Sequence, residues 1–155
     1  MAAARNARVV ATAIAAAFAL VATFEGSSYT AYRDPAGIPT ICRGHTAGVK
    51  LGQKATPAQC DAYTKGDLGT AFNAVDRLVK VDVSANELGA YTDFVYNAGS
   101  GNFASSTMLK KLNAGDHVGA CTELKRWVYA NGKKLAGLVK RRTAEYALCM
   151  TPEKQ

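Results

Sequence analysis

Residues 24–46 read FEGSSYTAYRDPAGIPTICRGHT, and this stretch follows a long uncharged run. It is rich in glycine, proline, tyrosine and threonine, and Asp34-Pro35-Ala36-Gly37 is a turn signal. The stretch therefore predicts a β-hairpin or a small three-stranded sheet. The first sixty residues contain two carboxylates, Glu25 and Asp34, and both lie here. We therefore expect the hairpin and the candidate catalytic carboxylates to lie in the same part of the molecule.

The sequence after the predicted hairpin is helical in pattern. Thr56-Pro57-Ala58-Gln59 and Ser84-Ala85-Asn86-Glu87 are capping boxes, which predict helices reaching Val79 and Tyr96. Residues 97–101 should break the second helix. Further helices are predicted over 105–112, 116–129 and 135–149, with a turn at Asn131-Gly132. The fold class is therefore α+β: an N-terminal helix, a small sheet, a long connecting helix and a mostly helical C-terminal lobe.

The composition is that of one globular domain. The chain has 155 residues, an apolar fraction of 48%, a charged fraction of 20% and a net charge of +7. The positive charge favours polyanionic partners. No basic stripe interleaved with aromatic residues and no zinc-ligand spacing is present in the sequence, so neither nucleic acid nor a metal ion is expected as a partner.

The N-terminus has the pattern of an export signal. Arg5 and Arg8 precede the run from Val9 to Phe24, whose sixteen residues carry no charge and include seven alanines. The run is slightly shorter than the roughly 20 residues that a transmembrane helix needs. Three interpretations remain open: a cleaved signal peptide with Ala17-Phe18-Ala19 as its site, a buried helix of a soluble domain, or an uncleaved signal that later leaves the bilayer.

The four cysteines form no CxxC pair. In an oxidising compartment an even number favours two disulfides. We predict Cys42–Cys60 and Cys121–Cys149, each within its own lobe, although spacing alone does not fix the connectivity.

Glu25 and Asp34 are a candidate pair for glycoside hydrolysis. Glu25 follows sixteen uncharged residues, and partly apolar surroundings would suit its carboxyl to proton donation. Asp34 lies in a polar turn that favours the ionised form, and Thr40 offers a hydroxyl that can hold a water molecule. The spacing alone is also compatible with a helix-end charge and a turn-forming aspartate.

Several motifs together resemble the phage lysozyme (endolysin) family. The order Glu25, Asp34, Thr40 matches that family's catalytic triad, and the resemblance covers essentially residues 24–149. The motifs that carry it are Phe24-Glu25-Gly26, Tyr32-Arg33-Asp34, Pro39-Thr40-Ile41-Cys42-Arg43-Gly44-His45-Thr46, Phe94-Val95-Tyr96-Asn97-Ala98-Gly99, Phe103, Ser106-Thr107-Met108-Leu109, Arg126-Trp127 and Lys140-Arg141-Arg142.

The resemblance implies hydrolysis of the β-1,4 bond between N-acetylmuramic acid and N-acetylglucosamine in bacterial peptidoglycan. Glu25 would be the proton donor, and Asp34 with Thr40 would orient water for inversion. No cofactor is implied. Tyr96, Asn97 and Ser106 fall at positions resembling the family's saccharide cleft. Lytic transglycosylation, membrane disruption by a cationic protein and non-enzymatic wall binding are the alternatives.

The resemblance is closest to endolysins with a signal-anchor-release segment. It implies that residues 1–24 direct export, tether the protein transiently to the inner membrane and then join the active domain, residues 25–155, in the periplasm. Since no cysteine precedes Cys42, we expect activation by refolding without disulfide exchange. We expect a monomer.

Expectations can also be stated for five further residues. The resemblance places Asp67 where it can face His45 in an ion pair. Trp127 is expected in the core near the cleft. For Arg141 and Arg142 a solvated helix face is favoured over pairing with Glu25 or contact with wall carboxylates.

Overall fold

The computed structural model describes residues 4–153, so the first three residues of the predicted segment 1–24 lie outside it. The described helices are α1 (Ala7–Phe24), α2 (Pro57–Leu78), α3 (Ala85–Ala98), α4 (Ser100–Ala104), α5 (Thr107–Asn113), α6 (His117–Glu123) and α7 (Ala136–Met150). A 3₁₀ turn, Leu124–Arg126, follows α6. The strands are β1 (Ser28–Arg33), β2 (Pro39–Cys42), β3 (Tyr129–Ala130) and β4 (Lys133–Lys134).

The starts of the long helices are fixed by local capping. Thr56 accepts a hydrogen bond from the N–H of Gln59 before α2, Ser84 does the same from Glu87 before α3, and both capping boxes are complete. Each cap satisfies backbone donors that have no partner within the helix. Both predicted starts are confirmed, and α3 continues two residues beyond the predicted end.

The sheet next to α1 is a two-stranded antiparallel hairpin, β1 and β2. Tyr32 pairs with Thr40 and Arg33 with Pro39, and the chain reverses between them through the predicted turn. Gly37 has φ +81° there, a conformation that side-chain-bearing residues rarely adopt. The sequence also allowed a three-stranded sheet. In place of a third strand, Thr30 and Lys54 form an isolated β-bridge.

Helix α3 forms the centre of the helical part. Its residues from Glu87 to Val95 are all buried, and α1, α2 and α7 pack against it. The largest completely buried apolar side chains around it are Tyr91, Phe94, Phe103, Leu88, Met108, Leu112 and Leu124. Leu109, next to Met108 on α5, is buried as well. Trp127 packs edge-on against Phe94 at 5.3 Å between ring centroids, as expected.

The α1–α3 interface depends on a small residue. A Cβ atom at Gly89 would lie 3.0 Å from the Cβ of Ala16 and 3.1 Å from the carbonyl oxygen of Ala13. Ala13 itself is completely buried. The alanines of α1 and Gly89 of α3 therefore permit a close approach of the two backbones, which places the end of α1 beside the hairpin.

Gly89→Ala is accordingly expected to destabilise the folded domain by about 1–3 kcal/mol, because a buried methyl group must displace α1. Gly66→Ala is the matched control, because Gly66 lies at an exposed position of α2 with open space around its Cα. There alanine should stabilise by about 0.5–1 kcal/mol through helix propensity. Denaturant unfolding of both variants measures the difference, and equal effects would contradict the packing argument.

Two predicted elements differ from the structure. The helix predicted over 116–129 ends at Glu123, and the 3₁₀ turn and β3 follow it. The reason lies downstream: Asn131 and Gly132 have φ +51° and +76° and form a tight turn that pairs β3 with β4. The break predicted at 97–101 is a single residue, Gly99, after which α4 begins.

Both predicted disulfides are confirmed. Cys42–Cys60 joins β2 to α2, and Cys121–Cys149 joins α6 to α7. Each links elements of one lobe.

Candidate active site

Glu25 lies immediately after the last residue of α1. Its backbone N–H donates to the carbonyl oxygen of Val21 at 2.8 Å and so ends the helix. Its side chain is 29% exposed, and Oε1 accepts a hydrogen bond from Nη1 of Arg141 at 2.6 Å. The carboxyl is thus positioned by α1 and held by a cation from α7.

The favoured interpretation of Arg141 and Arg142 as a solvated helix face is wrong. Their exposed fractions are 3% and 2%, because both side chains pack inward from α7. Arg141 pairs with Glu25 and donates twice to Asp93, at 3.0 and 2.7 Å. Burial lowers the pKa of Arg141, but the hydrogen bonds and charges of Asp93 and Glu25 raise it by more, and the net pKa is raised. The alternative, pairing with Glu25, is confirmed for Arg141 but not for Arg142, which contacts Glu145 and Asn97.

Asp34 and Thr40 share one contact on the hairpin, the carbonyl oxygen of Ile38. The N–H of Asp34 donates to it at 3.0 Å and the hydroxyl of Thr40 at 2.8 Å. Oδ1 of Asp34 in turn accepts the N–H groups of Ala36 and Ile38, each at 2.9 Å. The turn fixes the orientation of the carboxylate, and Oδ2 has no protein donor among the described contacts.

An open cleft of about 500 Å³ lies between the segment that follows β2 and helices α2 and α3. Glu25, Tyr96 and Asn97 line it, together with Arg43, Asp67 and Thr70. Asp34 and Thr40 are not among its lining residues. The structure therefore brings three of the six predicted site residues into one cleft and places two on the neighbouring hairpin.

The sixth predicted residue, Ser106, lines a different cavity of about 380 Å³ with Glu123, Arg126 and Trp127. Its hydroxyl donates to the carbonyl oxygen of Phe103 at 2.7 Å and accepts the N–H of Leu109 at 3.1 Å. These are the contacts of a helix cap, and substrate binding by Ser106 stays a prediction.

Tyr96 and Asn97 are held at the cleft by contacts across the fold. The hydroxyl of Tyr96 donates to the carbonyl oxygen of Arg43, and Asn97 accepts a hydrogen bond from Arg142. Burial raises the pKa of Tyr96, and the charges of Asp67 and Glu25 raise it further, so the phenol stays neutral.

The expected pair of His45 and Asp67 is confirmed. Nδ1 of His45 lies 2.8 Å from Oδ2 of Asp67, and the imidazole stacks on Tyr63 at 4.2 Å between ring centroids. The contact ties the segment after β2 to α2 on the wall of the cleft.

Sequence reasoning missed Asp93 and Glu145, which are completely buried beside Arg141. A usable signal was present: each is a carboxylate at a core-facing position of a helix, and such groups are almost never buried unless they are paired. Among residues 4–153 no cluster of three or more His, Cys, Asp or Glu residues is arranged to hold a metal ion.

Helix α1 is long and apolar enough to cross a membrane, by length and composition. In the folded domain Ala13, Ala17 and Val21 are completely buried, whereas Ala11, Ala15 and Ala19 are exposed. One helix thus carries both an export-like sequence and a packed face.

Comparison with known proteins shows the class of protein to which this chain is similar. The fold matches the muramidase domain of SpmX from Asticaccaulis excentricus with a TM-score of 0.83 and 32% identity, covering 88% of this chain and 96% of that one. It also matches the active form of P1 phage endolysin Lyz with a TM-score of 0.78 and 25% identity, covering 97% and 96%. The protein is a lysozyme-like glycoside hydrolase.

Residues 22–145 match the family model described as phage lysozyme. The chain is also 46% identical over 147 residues to the SAR-endolysin of Pseudomonas phage phiKMV, covering 92% of this chain and 91% of that relative. The chain belongs to the phage lysozyme family, which confirms the resemblance found in its motifs.

Proposed function

We propose that the protein is a phage endolysin that hydrolyses the β-1,4 bond between N-acetylmuramic acid and N-acetylglucosamine in bacterial peptidoglycan. One observation carries the proposal: Glu25 lies on the wall of an open cleft at the end of α1, next along the chain to a hairpin that presents a second oriented carboxylate, Asp34. Family membership and the muramidase domain with the same fold support it.

In this proposal Glu25 is the general acid. It gives its proton to the glycosidic oxygen as the bond from that oxygen to C1 of N-acetylmuramic acid breaks. The carboxylate that remains lies 2.6 Å from the guanidinium of Arg141, which stabilises the new negative charge. Solvent returns the proton after the products leave.

Asp34 and Thr40 are proposed to position the attacking water. Because the hydroxyl of Thr40 donates its hydrogen bond to the carbonyl oxygen of Ile38, its oxygen is left to accept a hydrogen bond from water. Oδ2 of Asp34 can accept the other. The water oxygen then adds to C1 from the face opposite the leaving group, its proton passes to Asp34, and the configuration inverts. An inverting pair needs carboxyl groups about 6.5–9.5 Å apart to accommodate that water.

Membrane delivery is the second part of the proposal. Residues 1–24 are proposed to direct export from the host cytoplasm and tether the protein to the inner membrane until α1 leaves the bilayer and packs on α3. Because Glu25 directly follows α1, the enzyme would be inactive while the helix is inserted. The apolar composition of α1 and its close packing at Gly89 support a double role.

Mass spectrometry of digested, purified peptidoglycan tests the reaction. Hydrolysis should add one water per broken bond and yield reducing N-acetylmuramic acid ends, whereas lytic transglycosylation would yield anhydro ends without water. Asp34→Asn should slow product formation by about 10²-fold or more, because the water loses its base, and Thr40→Ala should slow it less. Anhydro products from the wild-type protein would refute hydrolysis.

A further inference from the structure

A cluster of buried charges lies behind Glu25. Asp93 of α3 and Glu145 of α7 are both completely buried. Asp93 accepts two hydrogen bonds from Arg141, and Oε1 of Glu145 accepts one from Arg142 at 2.6 Å. Oε2 of Glu145 is also buried, and no donor among residues 4–153 contacts it. An ionised carboxylate oxygen in that position would be strongly destabilising.

A proton on Oε2 would remove the cost of a buried carboxylate oxygen without a hydrogen-bond donor. The two acids are neighbours, because Nε of Arg141 lies 3.0 Å from Oδ2 of Asp93 and 3.9 Å from Oε1 of Glu145. Two ionised carboxylates cannot hydrogen-bond to each other without a proton between them. We propose that Asp93 and Glu145 share a proton carried on Oε2 of Glu145, and that this pair positions Arg141 against Glu25. The positioning role rests on the catalytic role proposed for Glu25, while the shared proton does not.

The electrostatics of the cluster agree with this arrangement. Burial raises the pKa of Glu145 well above its ordinary value, and the neighbouring negative charge of Asp93 raises it further, whereas Arg142 lowers it. The lowering by Arg142 is smaller than the combined raising by burial and by Asp93, so the protonated form of Glu145 is favoured.

The proton has a consequence for the catalytic acid. Asp93 accepts hydrogen bonds from Nε and Nη2 of Arg141, and Nη1 is therefore free to donate to Glu25. Glu145 lies 3.9 Å from Nε of Arg141 and would compete for the guanidinium if it became ionised. Neutral Glu145 therefore keeps Arg141 directed at Glu25. Asp93 and Glu145 are positioning residues.

Glu145→Gln is the decisive variant, because an amide copies the protonated acid: its NH₂ can donate to Asp93 and its oxygen can accept from Arg142. It should retain kcat to within about threefold and KM unchanged. Glu145→Ala, which removes the donor to Asp93, should lower kcat by about tenfold or more with little change in KM. Wild-type activity should fall as pH rises through the raised folded-state pKa of Glu145, and this part of the fall should be absent from Glu145→Gln.

Stability should respond to pH in a defined direction. Since the folded-state pKa of Glu145 is raised, its contribution is present below the unfolded value of about 4.3 and is lost as pH rises toward the folded value. Glu145→Gln lacks this loss, so its melting temperature should gain on wild type as pH increases. In a Glu25→Gln background, where the proposed catalytic acid contributes no band, infrared difference spectra at neutral pH should show a protonated-carboxyl band that Glu145→Gln removes.

Glu123→Gln is the matched control. Glu123 is nearly buried, but hydrogen bonds from Lys111 and Arg126 and their charges lower its pKa. Its contribution is present above the unfolded value and is lost as pH falls through the folded value. Glu123→Gln should therefore lose melting temperature relative to wild type as pH rises, the opposite trend, and should keep the infrared band.

A protonated-carboxyl band that persists when Glu145→Gln is added to the Glu25→Gln background would overturn the shared proton. A melting profile of Glu145→Gln parallel to wild type would do the same, even if Glu145→Ala does not fold. Normal kcat in folded Glu145→Ala would overturn the positioning role. If wild type hydrolyses no peptidoglycan, the proposed function fails, while the infrared and melting measurements still decide the shared proton.

Discussion

Glu25→Gln is expected to lower the rate of peptidoglycan hydrolysis by about 10²–10⁴-fold, the contribution of a positioned general acid. Glutamine has no acidic proton to give to the leaving oxygen. Its amide oxygen can still accept the hydrogen bond from Nη1 of Arg141, and Arg141 keeps both bonds to Asp93. The fold should therefore be preserved, and the loss should appear in kcat.

The measurement is the initial rate of turbidity loss of purified peptidoglycan, with circular dichroism to verify folding. Asp82→Asn is the control, since Asp82 is exposed in the turn between α2 and α3 and its replacement changes the net charge equally. The same pair of variants separates catalysis from bilayer disruption by a cationic protein, because disruption would survive in both. A folded Glu25→Gln protein with substantial activity would refute the assignment.

Ala11, Ala15 and Ala19, replaced together by leucine, are expected to hold the protein in the membrane. These three residues lie on the exposed face of α1, so the leucines leave the interface with α3 untouched. On insertion scales they favour the bilayer by about 1–2 kcal/mol in total. Release, and with it lysis, should slow by roughly tenfold.

Leucine at Ala13 and Ala16 would test the packing of the folded domain as well as membrane retention, because both residues pack where α1 meets Gly89. Such variants would damage the folded domain as well as alter insertion, and they serve as the contrast. Fractionation of induced cells and the time of lysis measure retention. The purified, refolded exposed-face variant should have wild-type activity on peptidoglycan. Normal lysis timing with this variant would argue against a membrane-held intermediate.

Features encoded by neighbouring residues could be predicted from the sequence. The starts of α2 and α3 follow from the capping boxes at Thr56 and Ser84, and the turn at Asp34 follows from the proline and glycine after it. Resemblance to a family added the pairing of His45 with Asp67, which no local pattern contains.

Features that depend on distant residues were missed. Arg141 and Glu25 are 116 positions apart, and Arg141 and Asp93 are 48 apart. A basic cluster such as Lys140-Arg141-Arg142 is typical of a solvated surface until its buried partners are known. The carboxylates that neutralise these arginines lie on α3, at the end of α1 and on another turn of α7, so the local sequence did not reveal a buried network.

The central claim is that α1 remains part of the active enzyme and carries Glu25 into the cleft. The most direct test is the intact mass and N-terminal sequence of the active protein released from lysing cells. Our account predicts that residues upstream of Ala19 are still attached. An active form that begins at Leu20 or later would show an ordinary cleaved signal peptide and would contradict the account.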